Sequence, residues 1–377
     1  MKPPLLSFAL AAALGLGPVA LAAETVVLLP FQNLSGAPEA PSAVGTALVR
    51  KIEKEGYQVV RGEAVEEFLA AERVRYLDSL AGPVREKLLT HFSARAVVLG
   101  TIFSFAESEN PVVAVAARMV EVDAKVVWSA VAGLSADDTT KVFGFGRAVS
   151  LPALADKTVS ILARDFPAPG KAEMLASARS KPIDLSSPRT YRSAALGKVP
   201  VLVCLLPLVN ESRDRLAGPI VGELLAQRLG ASKEFRVVEA SDFRTAMVAT
   251  GVYGLRTGDP DELKKLGAKL GTNLFLKGTI YKYRDVLPGS GVRSPELEMQ
   301  LSLVDVAAGK VLWTSSVARK GSDYSGLFEL GAISNAVTLA DQVVAEMIRA
   351  GENASPVGHG DRSGSASRPS PTPGRPS

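Results

Sequence analysis

Cysteine is nearly absent from this chain of 377 residues. Cys204 stands alone, so an intrachain disulfide and a cysteine-based metal site are both excluded. The matching place in the first half of the chain holds Val27, which marks position 204 as one for a small apolar side chain in a buried strand. Histidine is almost as scarce: His91 and His359 do not recur in the other half. A Ser-His-Asp triad, a zinc site or a histidine general base has almost no material to work with. No catalytic, metal-ligating or cofactor-binding residue is assigned, and no cofactor is expected.

Other signals are missing too. The net charge of +4 and pI near 9.0 come from Lys and Arg interspersed with Asp and Glu, with no polybasic tract, so nucleic acid is not an expected partner. The carboxylates form no isolated facing pair of the kind glycoside hydrolysis needs. No glycine cradle of the G-x-G-x-x-G or G-x-x-x-x-G-K-[ST] form follows a strand, and Gly144-Phe145-Gly146 is too short to serve as one. A long apolar run occurs only at the start, where Lys2, LLSFALAAALGLGPVALA and then Ala20-Leu21-Ala22-Ala23 read as a cleavable secretory signal over 1–23. No cysteine follows that run, so no lipid is expected there. No integral membrane span is expected after cleavage.

What the chain does contain is itself, twice. AVVLGTIFSF at 96–105 and LFLKGTIYKY at 274–283 share a central Gly-Thr-Ile, with Gly100 and Gly278 at an offset of 178 (278 − 100). Trp128 and Trp313 occupy one place in matching last strands at an offset of 185 (313 − 128), and VVLLPFQN at 26–33 pairs with VCLLPLVN at 203–210. An offset that changes only in loops is the signature of a tandem duplication.

Each copy reads β-α-β-α-α-β-β-β-α. Helical crossovers make the first three strands parallel, and short turns make the last three an antiparallel meander. The expected fold is mixed α/β: two homologous domains, each a five-stranded mixed sheet packed with helices. Their expected bounds are 24–166 and 198–351, with a proline-bearing linker at 167–197 and a disordered Pro/Ser/Gly tail at 352–377. Each domain is expected to fold alone.

Asn33 and Asn210 stand just past the carboxyl end of the first strand of each copy. That edge of an open α/β sheet is where ligands bind, yet an Asn there also serves as a turn or cap residue, the reading preferred here. Trp128 and Trp313, recurring at one place, read as packing residues rather than an interface.

The two copies differ on one sheet face. Leu297, Met299, Leu301 and Leu303 alternate with Glu298, Gln300 and Ser302, so one side is core and the other wet. Where the second copy has Lys277, Tyr281, Glu298 and Gln300, the first has Leu99, Phe103, Ala114 and Ala116. If these four share a face, the first copy has lost its polar coat there and something must cover it. The cover is either a helix of the same copy or an interface with the second copy or another protein.

The opening LPFQNLSGAPE resembles that of TolB N-terminal-like domains, and LGTNLFLKGTI…LSLVDVAAGKVLWT is similar to a later segment of the same family. The wider superfamily includes the curli secretion protein CsgG and the penicillin-binding-protein activator LpoB. No β-propeller follows, unlike full TolB, and no lipidated cysteine is present, unlike CsgG and LpoB. The resemblance implies a non-catalytic protein-binding or scaffolding role in the bacterial envelope, periplasmic or secreted, with envelope proteins or a second copy of the chain as partners. A part in outer-membrane secretion or in regulating peptidoglycan synthesis is the first alternative. A small-molecule sensor or enzyme using the loop after the first strand is the second.

Overall fold

The first strand, Thr25–Leu28 (β1), sends Val26 and Leu28 into one core and Val27 into another, as a strand covered on both faces must. The computed structural model describes residues 23–107, 110–139, 150–170, 185–196, 200–252, 259–286, 294–325 and 332–355. Residues 1–22 of the expected signal, the Gly144-Phe145-Gly146 run, His359 and the tail beyond 355 lie outside the described residues.

Pro30 and Pro207 cannot donate to a ladder, so each first strand breaks there. Pairing resumes beyond the break in the two-residue strands Gln32–Asn33 (β2) and Val209–Asn210 (β9). β2 then runs parallel to Ala96–Ala106 (β4), and β9 to Leu274–Arg284 (β11). The first half continues with helices Ala40–Lys54 (α1), Glu63–Ala71 (α2) and Gly82–His91 (α3), and with strands Gln58–Val60 (β3), Val112–Glu121 (β5) and Val126–Ser135 (β6). Leu151–Leu162 (α4) closes it, started by the Ser150 hydroxyl accepting from Ala153 N at 3.4 Å. The second half has strands Arg189–Arg192 (β7), Val201–Leu205 (β8), Phe235–Val237 (β10), Glu296–Asp305 (β12) and Lys310–Lys320 (β13). Its helices are Ala217–Gly230 (α5), Ala240–Thr250 (α6), Pro260–Leu270 (α7) and Ala336–Asn353 (α8).

Two mixed sheets result, in the orders β3-β1-β4-β5-β6 and β10-β8-β11-β12-β13-β7. Both carry the same five strands in the same sequence, parallel for the first three and antiparallel for the meander. The expected five strands per sheet become six and seven, because β2 and β9 extend the broken first strand and β7 joins an edge. The stretch expected as a linker thus contributes a strand: Arg189–Arg192 pairs antiparallel with Ser316–Trp313. RTYR has no apolar alternation to announce it; the open edge of β13 supplies its ladder.

The layers run α1/α4, first sheet, α5/α8, second sheet. α1 and α4 cover one face of the first sheet through Val44, Leu48, Leu154 and Val159. α2 and α3 cover the β1–β3 side of its other face. α5 and α8 pack on the second sheet through Leu224, Leu339 and Val343, against Ile280, Met299 and Leu301. α6 and α7 cover only the β8 side of the second sheet's far face.

Candidate functional site

The two asparagines past the first strands hold identical turns. Asn33 donates from Nδ2 to Ala37 O at 2.7 Å and accepts from Ser35 N at 3.0 Å and Ser35 Oγ at 2.7 Å. Asn210 repeats this with Asp214 O, Ser212 N and Ser212 Oγ at the same three distances. Both side chains are spent on the turn.

The two glycines are places where a neighbour has taken the side-chain volume. A Cβ on Gly100 would lie 2.0 Å from the Phe31 ring; one on Gly278 would lie 2.6 Å from Leu301 Cδ2 and 2.8 Å from the Gln300 carbonyl. The tryptophans are core. Trp128 is fully buried, with its ring 4.8 Å from that of Phe166. Trp313 lies under the last turn of α8, where a Cβ on Gly351 would come within 2.1 Å of its indole nitrogen. Cys204 is buried, which pushes its thiol up to about 12.

The four residues of the apolar face divide. Phe103, Ala114 and Ala116 lie in the core built by α5, α8 and the second sheet. Leu99 shares their face but sits further toward β1, in the core of α2 and α3. The strand β6 continues the seam. Ser129 Oγ donates to Gln227 Oε1 on α5 at 3.0 Å, and Thr338 Oγ1 on α8 donates to Gly133 O at 3.3 Å. A Cβ on Gly133 would meet Thr338 Oγ1 at 2.6 Å, so only a glycine lets the helix approach this closely. Burying Phe103 there contributes roughly 1.5–3 kcal/mol.

Sequence reasoning missed the polar part of the seam. Arg118, in the apolar run VVAVAARMVE of β5, reaches across to Glu239 at the start of α6 in a two-pronged ion pair. Its Nη2 also donates to Asp78 O at 2.8 Å. Asp78 in turn takes Arg244 at 3.2 and 3.0 Å, and the Arg244 guanidinium lies 4.4 Å over the Tyr76 ring. Burial works against the Arg118 charge, but Glu239 and Glu223 outweigh it and hold the guanidinium above its ordinary value. Burial pushes the Glu223 carboxyl up, opposed by Arg118 and by the Gln227 amide. A charged residue inside an apolar strand was the available signal: it requires a buried partner, although the sequence does not say which.

Beside this cluster the halves enclose a cleft of about 950 Å³, walled by Leu34, Leu205, Leu208 and Phe243 with Arg118 and Glu223 among its polar groups. Gln32 and Leu34 from one half and Pro207 and Leu208 from the other, all just past the first strands, line it. Among the described residues, no group of three or more His, Cys, Asp and Glu is placed to hold a metal ion, and no helix is long and apolar enough to cross a membrane.

Against known proteins, residues 183–318 match the family model described as peptidoglycan-synthase activator LpoB. That span runs from just before β7 into β13. No curated protein matches the chain. Among solved structures, it is similar to the PelC dodecamer from Paraburkholderia phytofirmans, at 17% identity over 43% of this chain and 94% of that one, TM-score 0.30. It is also similar to lipoprotein GNA1162 from Neisseria meningitidis, at 23% identity over 40% and 97%, TM-score 0.29. The LpoB C-terminal domain from Salmonella enterica matches at 16% identity over 34% and 87%, TM-score 0.27. The likeness to the LpoB family model is thus confined to residues 183–318, in the second half of the chain.

Proposed function

We propose that this chain is an exported, non-catalytic protein-binding component of the bacterial cell envelope, and that it acts by contact on a peptidoglycan synthase. The observation that carries this reading is the LpoB match over 183–318, since an activator of a synthase works through another protein's surface. The duplicated strand order and the identical Asn33 and Asn210 turns support two copies of one TolB- and LpoB-like unit, placed in the periplasm after removal of residues 1–23. The test mixes the mature chain with the purified peptidoglycan synthases of the same bacterium and measures binding and the rate of glycan polymerisation. Binding to one synthase with a rate several-fold above its basal value is expected. A chain that neither binds nor accelerates any of them overturns the assignment.

The cleft favours one further reading. Its apolar walls, with Arg118 and Glu223 beside them, fit a small organic ligand of the kind open α/β sheets bind at this edge. A thermal-shift screen of the full chain against amphiphilic metabolites checks it: a concentration-dependent rise in Tm supports a sensor, and a flat screen removes it.

A further inference from the structure

The fold displays the same sheet face twice, once covered and once open. On the first sheet, Phe103, Ala114, Ala116 and the β6 residues Ser129 and Gly133 are covered by the helix pair α5/α8. On the second sheet the matching positions carry Tyr281, Glu298, Gln300, Thr314 and Ala318, and pairing across β11, β12 and β13 puts them on the side away from the α5/α8 core. Among the described residues nothing lies over this face: Lys277, Glu298, Gln300 and Ala318 are exposed, and Tyr281 is 42% exposed.

The composition of the open face selects its partner. Lys277, Lys282, Arg284 and Lys320 stand there against Glu296 and Glu298, and Glu296 is already engaged by Lys282 at 3.4 Å and Lys320 at 3.2 Å. Tyr281 stands on the same face, its hydroxyl donating to Gln300 Oε1 at 3.3 Å. A basic face with a central tyrosine presents both a steering charge and an aromatic anchor. A second copy stacking head-to-tail would bring the outer surface of its α1/α4 pair here. That surface carries Arg50, Lys51, Lys54 and Lys157 against Glu39, Glu53, Glu55 and Asp156, with Arg50 already paired to Asp156 at 2.7 Å, so its charges balance and it offers no acidic match to a basic face.

We infer that this face of the second sheet docks an acidic, helical surface of a different envelope protein, seated as α5 and α8 sit on the first sheet. The inference rests on the reading of the chain as an envelope protein-binding component and names the surface it uses. The polar coat that replaces Leu99, Phe103, Ala114 and Ala116 makes this contact reversible, where the first sheet's is buried within the chain.

The test installs photo-reactive p-benzoylphenylalanine at position 281 of the full chain in living cells of its bacterium, with position 248 on α6 as control. Crosslinked peptides are then sequenced. An adduct specific to 281, on an acidic helical segment of a different protein, is expected. Its yield should fall about tenfold in the Lys277→Glu/Lys320→Glu variant, as removal of complementary charge requires. If that variant melts lower than its parent, Lys277→Gln/Lys320→Gln is read in its place. No 281-specific adduct overturns the inference, as does an adduct with a second copy, a glycan or a lipid, or a yield indifferent to both charge variants. An adduct on a peptidoglycan synthase supports this face and the proposed function together. One on another acidic protein supports the face, and the synthase assignment is then decided by the binding and polymerisation assay alone. Activation of a synthase with position 281 silent sinks the face alone.

Discussion

Arg118 on β5 and Glu239 at the start of α6 face each other across the seam, Nη1 to Oε1 at 3.2 Å and Nη2 to Oε2 at 3.0 Å, with 8% of each side chain exposed. A pair so buried adds little net stability over a well-packed apolar pair, but breaking it strands a charge. Arg118→Met should therefore cost the full chain about 3–5 kcal/mol in chemical denaturation, because Glu239 is left without its counter-ion. Arg118→Met with Glu239→Leu should recover most of that loss, giving a strongly non-additive cycle. Additive losses would show that the two residues do not act as a pair.

Glu223 gives the seam a pH dependence. Burial, the largest influence on it, raises its pKa in the folded chain, while Arg118 and Gln227 oppose that rise. An acid with a raised folded pKa binds more protons folded than unfolded between its two pKa values, so its contribution to stability falls as pH rises through that window. Glu223→Gln keeps an oxygen to accept the Gln227 Nε2 bond, now 3.1 Å long, and removes the buried charge. The variant should be more stable than its parent at neutral pH, and the difference should vanish once the medium is more acidic than the ordinary glutamate pKa. Urea midpoints across that range measure it. A variant less stable at neutral pH would mean that attraction to Arg118 outweighs burial.

The legible parts of this fold were those where periodicity and burial agree. Leu297, Met299, Leu301 and Leu303 alternate with polar residues because one face is core and the other open, so β12 could be read directly. β2 and β9 could not: two residues past a proline carry no pattern, and only β4 and β11 beside them make a ladder. Leu99 and Phe103 share a face and look alike in sequence, yet one lies under α2 and α3 and the other under α5 and α8. Strand pattern tells which side a residue faces but not which helix arrives there. Arg118 announced a buried partner, and the 121 residues separating it from Glu239 kept that partner out of reach of local reasoning.

The edge strand β7 sets where the second unit begins. Read from sequence, that unit starts at 198, which would discard Arg189–Arg192 and expose the outer edge of β13. The discarded piece also includes Leu196, 5% exposed in the core, and Arg192, whose Nη1 donates to Glu234 Oε2 at 2.6 Å and to Gly351 O at 3.0 Å. Ser193 N adds a bond to Leu312 O at 2.7 Å. Losing Leu196 alone removes roughly 1.5–3 kcal/mol of apolar burial, and an unpaired edge invites association with other chains. A fragment of residues 185–355 should therefore melt higher than one of 198–355 by roughly 5–10 °C, and should stay monomeric at concentrations where the shorter one associates. Both fragments bare the same α5/α8 surface that the first sheet covers in the full chain, so that exposure cancels in the comparison. Equal melting temperatures and equal association would show that β7 is an appendage rather than the seventh strand of the unit.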